Sequence, residues 1–472
     1  MVQSPDAPES QFLPGRKAGL LEKFHIIRSH LRADTGVIVA ARYHGPVTLD
    51  KHTLYPALAS ILERHRAMST QVLAAETKQP SYVSLKTVDL SQVVYFRDTE
   101  GKELHEIAEL QFREHLPFAK ETPLWRLIVL PDNMVIFHYD HSMGDGQSGL
   151  AFHRLLLTAL NTVNLPQDDP SPVVVIPEEL RLLSQVEKLT KTSVSLQIMT
   201  KEVFEVLAPS SLRKTGTSWT GHDVPKESSN HTSIRIFNIP PNDAESLLKI
   251  CRAHQSTLTS FLYTAGVVVL GALLRDCPKK YKFLSTDIAV SFRRYTKVPP
   301  AAFCDHVSTI HFHPRITRYS DELAGDYSAL AKQFPWNAAA KNAAALQNKL
   351  PKARQLVGAL GLLFGQYQAY FQGFMGKKRE GSFQLSNVGR FPSEPSDSQK
   401  SEKAWHIEDM FFGFDDAWLG PAMKLTVVGS QNGSVGVCFC WGPEAMEKKF
   451  ALSFVDGFKT LVGAVLKEAQ IE

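Results

Sequence analysis

The chain has little cysteine: five residues in 472, at Cys251, Cys277, Cys304, Cys438 and Cys440. An odd number without metal-like spacing argues against a disulfide framework and against a zinc module, and predicts a reducing, intracellular setting. Cys438 and Cys440 read instead as alternate positions of one strand. Charge of one sign is also missing. Lys and Arg number 52 against 48 Asp and Glu, a net charge of +4, too small and dispersed for a nucleic-acid track. Long apolar runs are absent as well: Leu258 to Leu274 carries Thr259, Ser260, Tyr263 and Thr264, and falls short of the roughly 20 residues that span a bilayer. It predicts a buried core helix. Met1 to Pro14 is polar, lacks the apolar core of a secretory leader, and predicts a disordered start to a cytoplasmic chain. No repeat of short period appears.

What is present is ordinary globular material, with 43% hydrophobic, 10% aromatic and 21% charged residues. The length predicts two domains of about 200 residues each. Gly19 to Leu31 reads as a basic amphipathic helix with Leu20, Leu21, Phe24, Ile27 and Leu31 inward. Such a helix can lie on a membrane, but packing on its own domain is the commoner use and is the reading taken here. Further along, Val37–Tyr43, Tyr82–Leu90, Trp125–Leu130 and Met134–Tyr139 read as strands, the last two as a hairpin across Pro131-Asp132-Asn133. Leu54–His65, Leu104–His115 and Gln147–Leu160 read as helices. A polar stretch to His231, with one helix at about Pro177–Val206, reads as a crossover.

The second half opens with a strand, Thr232–Ile239, a helix over Asp243–His254 capped by Asn242, and a helix from Ser256 to Arg275. Strands follow at Phe283–Ser291, Val307–Phe312 and Ser382–Asn387, and helices at Asp321–Gln347 and Pro351–Phe371. A hairpin, Leu425–Val428 with Val435–Trp441, and a helix over Lys448–Glu468 close the chain. The fold class is α/β (α+β), divided into an N-terminal lobe over 1–180, a linker over 181–231 and a C-terminal lobe over 232–472.

One loop between strand and helix carries chemistry: Phe137-His138-Tyr139-Asp140-His141-Ser142-Met143-Gly144-Asp145-Gly146. His141 at the strand end suits a base aimed into a cleft, because a neutral imidazole can take a proton from an alcohol or amine. Asp145 either pairs with a buried cation to lock the loop or caps the following helix. Gly146 permits a turn that a Cβ would obstruct. His138, on the alternating strand, reads as a packed core histidine.

These residues, with Pro123-Leu124-Trp125-Arg126-Leu127 before them, resemble the active-site region of the CoA-dependent acyltransferase superfamily. That superfamily includes fungal alcohol acetyltransferases, plant BAHD acyltransferases and condensation domains. Its signature is commonly two histidines, three variable residues, then Asp-Gly; here Asp140 stands in the first histidine's place and His141 in the second's. The similarity covers most of the chain and is closest to the fungal alcohol acetyltransferases. Ile288 to Tyr295 resembles the segment whose arginine pairs with the motif aspartate, which implies Arg293, or else Arg294. Ser386-Asn387-Val388-Gly389-Arg390-Phe391 resembles the turn that faces the histidine. Phe412 to Trp418 is at most a degraded form of the plant branch's Asp-Phe-Gly-Trp-Gly signature.

The resemblance implies two chloramphenicol-acetyltransferase-like lobes with an active-site tunnel between them. It implies a monomeric acetyltransferase of specialised metabolism that passes an acyl group from acetyl-CoA directly to a small-molecule hydroxyl, with no permanent cofactor and no metal. Ser386 or Asn387 would donate to the oxyanion, with Ser142 as an alternative, unless the turn bonds its own backbone. Lys377, Lys378 and Arg379 would meet CoA phosphates, unless they form a solvated loop. An amine acceptor, a carrier-bound thioester donor, or a binding protein that has lost the chemistry are the alternatives.

Overall fold

Runs of Val, Ile and aromatic residues buried on both faces make the central strands of two sheets. The computed structural model describes residues 12–33, 36–164, 166–207, 214–227, 231–277, 281–316, 325–392, 404–415 and 418–468. In the N-terminal half the sheet strands are β1 (Val37–His44), β2 (Val94–Phe96), β3 (Trp125–Val129) and β4 (Met134–Tyr139). Every residue of β3 and β4 is buried. Their hairpin turns at Asn133, whose left-handed φ of 58° an asparagine tolerates better than most residues.

The C-terminal half contributes β5 (Ser233–Ile239), β6 (Thr286–Ser291), β7 (Val307–Phe312), β8 (Phe383–Arg390), β9 (His406–Phe414), β10 (Met423–Gly429) and β11 (Val435–Trp441). Six of these form one sheet in the order β5-β11-β10-β8-β6-β7. The seventh, β9, crosses over and pairs antiparallel with β1, so the first sheet is ordered β9-β1-β4-β3-β2. A lobe boundary drawn at 232 therefore assigns residues 406–414 to the wrong sheet. Their pairing is irregular between Ile407 and Met410, which breaks the alternation by which a strand is read.

Five helices matter for the site: α1 (Leu20–His30), α2 (Gly146–Thr162), α3 (Leu258–Leu273), α4 (Trp336–Ala359) and α5 (Lys448–Glu468). Helix α2 packs on the first sheet through Phe152 and Leu156, and α3 and α5 on the second through Phe261, Phe454 and Phe458. Between the sheets, Ile38, Ala40, Ile128 and Ile136 meet Ile234, Cys438 and Cys440, which do alternate on one strand. The result is a mixed α/β fold of two lobes, each with an open sheet.

Several expected elements shift. Residues 12–14 belong to a strand, Phe12–Lys17, paired with Ser81–Leu85 rather than to a disordered start. The helix expected over 177–206 is two pieces, Val186–Leu189 and Leu196–Leu207. The helix expected from Asp243 begins at Pro241, whose missing N–H costs nothing in the first turn, so Asn242 is not its cap. Pro351 does not start a helix but lies inside α4, where burial of Ala353 and Val357 against Leu21, Phe292 and Ile310 offsets the lost backbone bond. The start expected at Asp321 lies outside the described residues. Among the described residues no single helix is long and apolar enough to cross a membrane; Pro241–Ala253 and α3 pass such a test only as a pair bent by 90°.

Candidate active site

The hairpin strand β4 ends at Tyr139 and delivers Asp140 and His141 to the gap between the lobes. Asp145 then caps α2, its Oδ1 accepting from the Ser148 amide at 3.1 Å. The same carboxylate accepts from Arg293 Nη2 at 2.7 Å and from the His306 amide at 3.2 Å. Both uses expected of Asp145 are thus present together. Burial alone would push the Asp145 carboxyl up, but the Arg293 charge and these hydrogen bonds hold it below the ordinary carboxylate range. Arg293 also donates to the carbonyls of Ala302 at 2.8 Å and Cys304 at 3.3 Å, so one guanidinium ties the motif loop to residues 302–306. Arg294 is not in this clamp; its guanidinium lies over the Tyr295 ring.

Gly146 is needed for a different reason than a turn. A Cβ there would lie 2.6 Å from Val388 and 2.8 Å from Phe412, so the glycine admits side chains from β8 and β9. Gly36 has φ of 128°, and a Cβ there would meet the Tyr139 carbonyl at 2.5 Å and His138 at 2.7 Å. His138 is fully buried, edge-on to Phe112, as a core histidine. Asp140 is buried too. It accepts from the Ser29 hydroxyl of α1 and from the amide and hydroxyl of Ser142, at 2.9 and 2.5 Å. Burial raises its carboxyl and those hydroxyls draw it back. The Ser142 hydroxyl is therefore committed to Asp140 and does not face an acceptor.

His141 lines a cavity of about 550 Å³ between the lobes. Leu21, Phe24, Leu356, Leu360, Leu363 and Phe412 line it with apolar side chains, and Asp287, Ser308, Thr309, His311 and Gln384 with polar ones. Ser386 lines it as well. Asn387 does not: its amide donates to Thr259 at 3.0 Å and its oxygen accepts from the Gly389 amide, which is the turn bonding its own backbone.

The basic segment is also reassigned in part. Lys378 Nζ donates to the carbonyls of Thr215, Gly216 and Ser218, and buried Arg379 to those of Trp418 and Gly420, so neither forms a free cationic surface. Both tie residues 377–380 to neighbouring loops. Of the three basic residues, Lys377 is the exposed one.

Two further residues were not found by spacing. The ring of His25, from α1, stacks on His141 with centroids 3.9 Å apart and planes 10° apart. Asp305 Oδ2 lies 3.4 Å from His25 Nε2. These three side chains bring potential ligand atoms within 4.8 Å of one another. Parallel rings nonetheless aim their in-plane lone pairs along separate, parallel directions, which a single ion at about 2.1 Å from each cannot satisfy. Amphipathic periodicity places His25 and Ser29 on the polar side of α1, yet both are buried. The polar pair His25 and Ser29, four residues apart on one side of an amphipathic helix, is the signal the sequence carries, and it does not name what the pair meets.

Comparison with known proteins adds the family. The model of the alcohol acetyltransferase family matches residues 17–440. A probable alcohol acetyltransferase of Aspergillus fumigatus, crmB, is 24% identical over 466 residues, spanning 92% of this chain and 96% of its own. Another, FCK4 of Fusarium pseudograminearum, is 23% identical over 424 residues, spanning 84% of this chain and 82% of its own. Among solved structures, TRI3 trichothecene 15-O-acetyltransferase from Fusarium sporotrichioides superposes with a TM-score of 0.69 at 12% identity, covering 98% of this chain and 97% of that one. The condensation domain of the Monacolin K synthase MokA gives 0.57, also at 12% identity and covering 98% of each chain. The fold is the two-lobed one shared with these structures. The chain belongs to the alcohol acetyltransferase family.

Proposed function

We propose that the chain transfers an acetyl group from acetyl-CoA to the hydroxyl of a small, largely apolar alcohol in specialised metabolism, with His141 as general base. The observation that carries this is His141 on the cavity wall at the end of β4, in a loop clamped by Asp145 and Arg293. The imidazole takes the hydroxyl proton as the oxygen attacks the thioester carbonyl. The new C–O bond forms, the C–S bond breaks, and the same imidazole returns the proton to the departing thiolate. No acyl-enzyme is formed. Ser386 is the candidate oxyanion donor, since it lines the same cavity while Asn387 and Ser142 are engaged elsewhere.

The apolar side chains from α1 and residues 356–363 support an acceptor with a largely hydrocarbon frame, and the name of TRI3, an O-acetyltransferase of the same fold, supports a hydroxyl on it as the acylated group. Lys377 is what remains of the basic segment for a CoA phosphate. The proposed enzyme works as a cytoplasmic monomer, with acyl-CoA as co-substrate rather than resident cofactor. Release of CoA thiol from acetyl-CoA, followed against a panel of alcohols, tests the reading. His141→Ala is expected to lose about 10²–10⁴-fold in turnover with an unchanged circular dichroism spectrum. Full activity in that variant sinks the mechanism.

A further inference from the structure

We propose that His25 is a positioning residue for His141, and that Asp305 holds His25 in place. This rests on the reading of His141 as the base. Helix α1 presents His25 and Ser29 four residues apart, on one face. The consecutive loop residues Asp140 and His141 meet that face one each: Ser29 donates to Asp140, and the His25 ring covers the His141 ring. The aspartate that replaces the superfamily's first histidine is thus a tether to α1, and the helix reads the loop at two adjacent positions.

The helix is itself fixed. Glu22 pairs with Arg16 at 2.6 Å and accepts from the Gly19 amide at 2.7 Å, while Glu187 accepts from the Leu20 amide at 2.9 Å. Behind His25, Asp305 has a fully buried side chain whose Oδ2 is 3.4 Å from His25 Nε2. Asp305 sits in the 302–306 segment that Arg293 and Asp145 organise, through the Cys304 carbonyl and the His306 amide. One clamp therefore shapes the motif loop and also places the residue that supports the stack.

The need for such a device is physical. Rotation of an imidazole about its terminal torsion meets only shallow preferences, so a base at a loop is not aimed by its backbone alone. A parallel ring on one face, with the Phe414 ring standing at 88° and 6.4 Å from it, restricts that rotation. Displacement of a reacting group by about 1 Å costs about 10²-fold in rate. His25 lines the cavity, so it has to be separated from a substrate contact by kinetics.

The experiment uses the full chain and compares His25→Ala, His25→Phe, Asp305→Ala and His141→Ala in steady-state assays for both substrates. His25→Ala is expected to lower kcat about 10–100-fold while both KM values stay within about threefold. His25→Phe, which keeps an aromatic face, is expected to recover kcat to within about tenfold of the parent. Asp305→Ala should follow His25→Ala in direction, with a smaller loss. Unchanged kcat in His25→Ala overturns the inference, as does a raised KM at constant kcat, which would make His25 a substrate contact. A His25→Phe enzyme as impaired as His25→Ala also overturns it, because the loss would then not track the aromatic face. Activity retained by His141→Ala removes the base reading and this inference with it; loss there beside an unaffected His25→Ala removes the inference alone.

Discussion

Asp145 and Arg293 are 148 positions apart in the chain and 2.7 Å apart in space. Their side chains are 4% and 10% exposed, so the pair is of the kind whose disruption strands a buried charge. Arg293→Ala is expected to destabilise the fold by about 3–5 kcal/mol and to lower kcat by releasing residues 302–306, read by thermal denaturation and by the thiol assay. Because the Asp145 carboxyl is held below its ordinary value, its ionisation contributes stability above the ordinary carboxylate pKa of about 3.9 and that contribution is lost as pH falls below it. Arg293→Ala should therefore flatten the acid limb of stability. At this scale the sequence names His141, Asp145 and Arg293 through their motifs. His25 and Asp305 belong to no motif, and it is the meeting of α1 with residues 302–306 that makes them neighbours of His141.

At the scale of elements, the helix that follows the motif loop is set by its distance from β1. A Cβ at Gly149 of α2 would lie 2.2 Å from Val39 Cγ2 and 2.8 Å from Val39 Cβ. Gly149→Ala should therefore displace α2, destabilising by about 1–3 kcal/mol and reducing turnover, since Asp145 caps that helix. Gly463 of α5 has nothing within 4 Å of the corresponding position. There the same substitution should stabilise by about 0.4–1 kcal/mol, by restricting the unfolded chain, and leave activity unchanged. Differential scanning of the two variants checks the contrast. The strands β1, β4, β7 and β11 were legible because their apolar runs are continuous or alternate cleanly. The strand β9 was not, because its irregular pairing disturbs the period, and α4 was cut at Pro351 because local propensity cannot see the packing that carries a helix through a proline.

For the whole molecule, two buried histidines link stability to pH. His153 packs in the first lobe, Nδ1 at 2.8 Å from the Tyr43 hydroxyl and Nε2 at 2.9 Å from the Val39 carbonyl; His306 lies behind the Arg293 clamp. Burial lowers each from 6.5 to about 4, against the opposing backbone hydrogen bond at His153 and the nearby Asp145 charge at His306. Each binds a proton more readily when unfolded. Stability should then be flat above about pH 6.5 and fall as pH drops from there toward about 4, measured as the midpoint of thermal unfolding across that range. The sequence by itself determined the fold class and the loop that carries His141 and Asp145, because these lie in local periodicity and a contiguous motif, and it narrowed the partner of Asp145 to Arg293 or Arg294. The tertiary structure alone decided which lobe β9 completes, which polar groups line the cavity, that Lys378, Arg379 and Asn387 serve the backbone, and that His25 stacks on His141. The β9–β1 pairing, the Lys378 bonds and the His25 stack join positions 116 to 377 residues apart, and Arg379 reaches carbonyls 39 and 41 positions away, so no short window along the chain carries the packing that selects them.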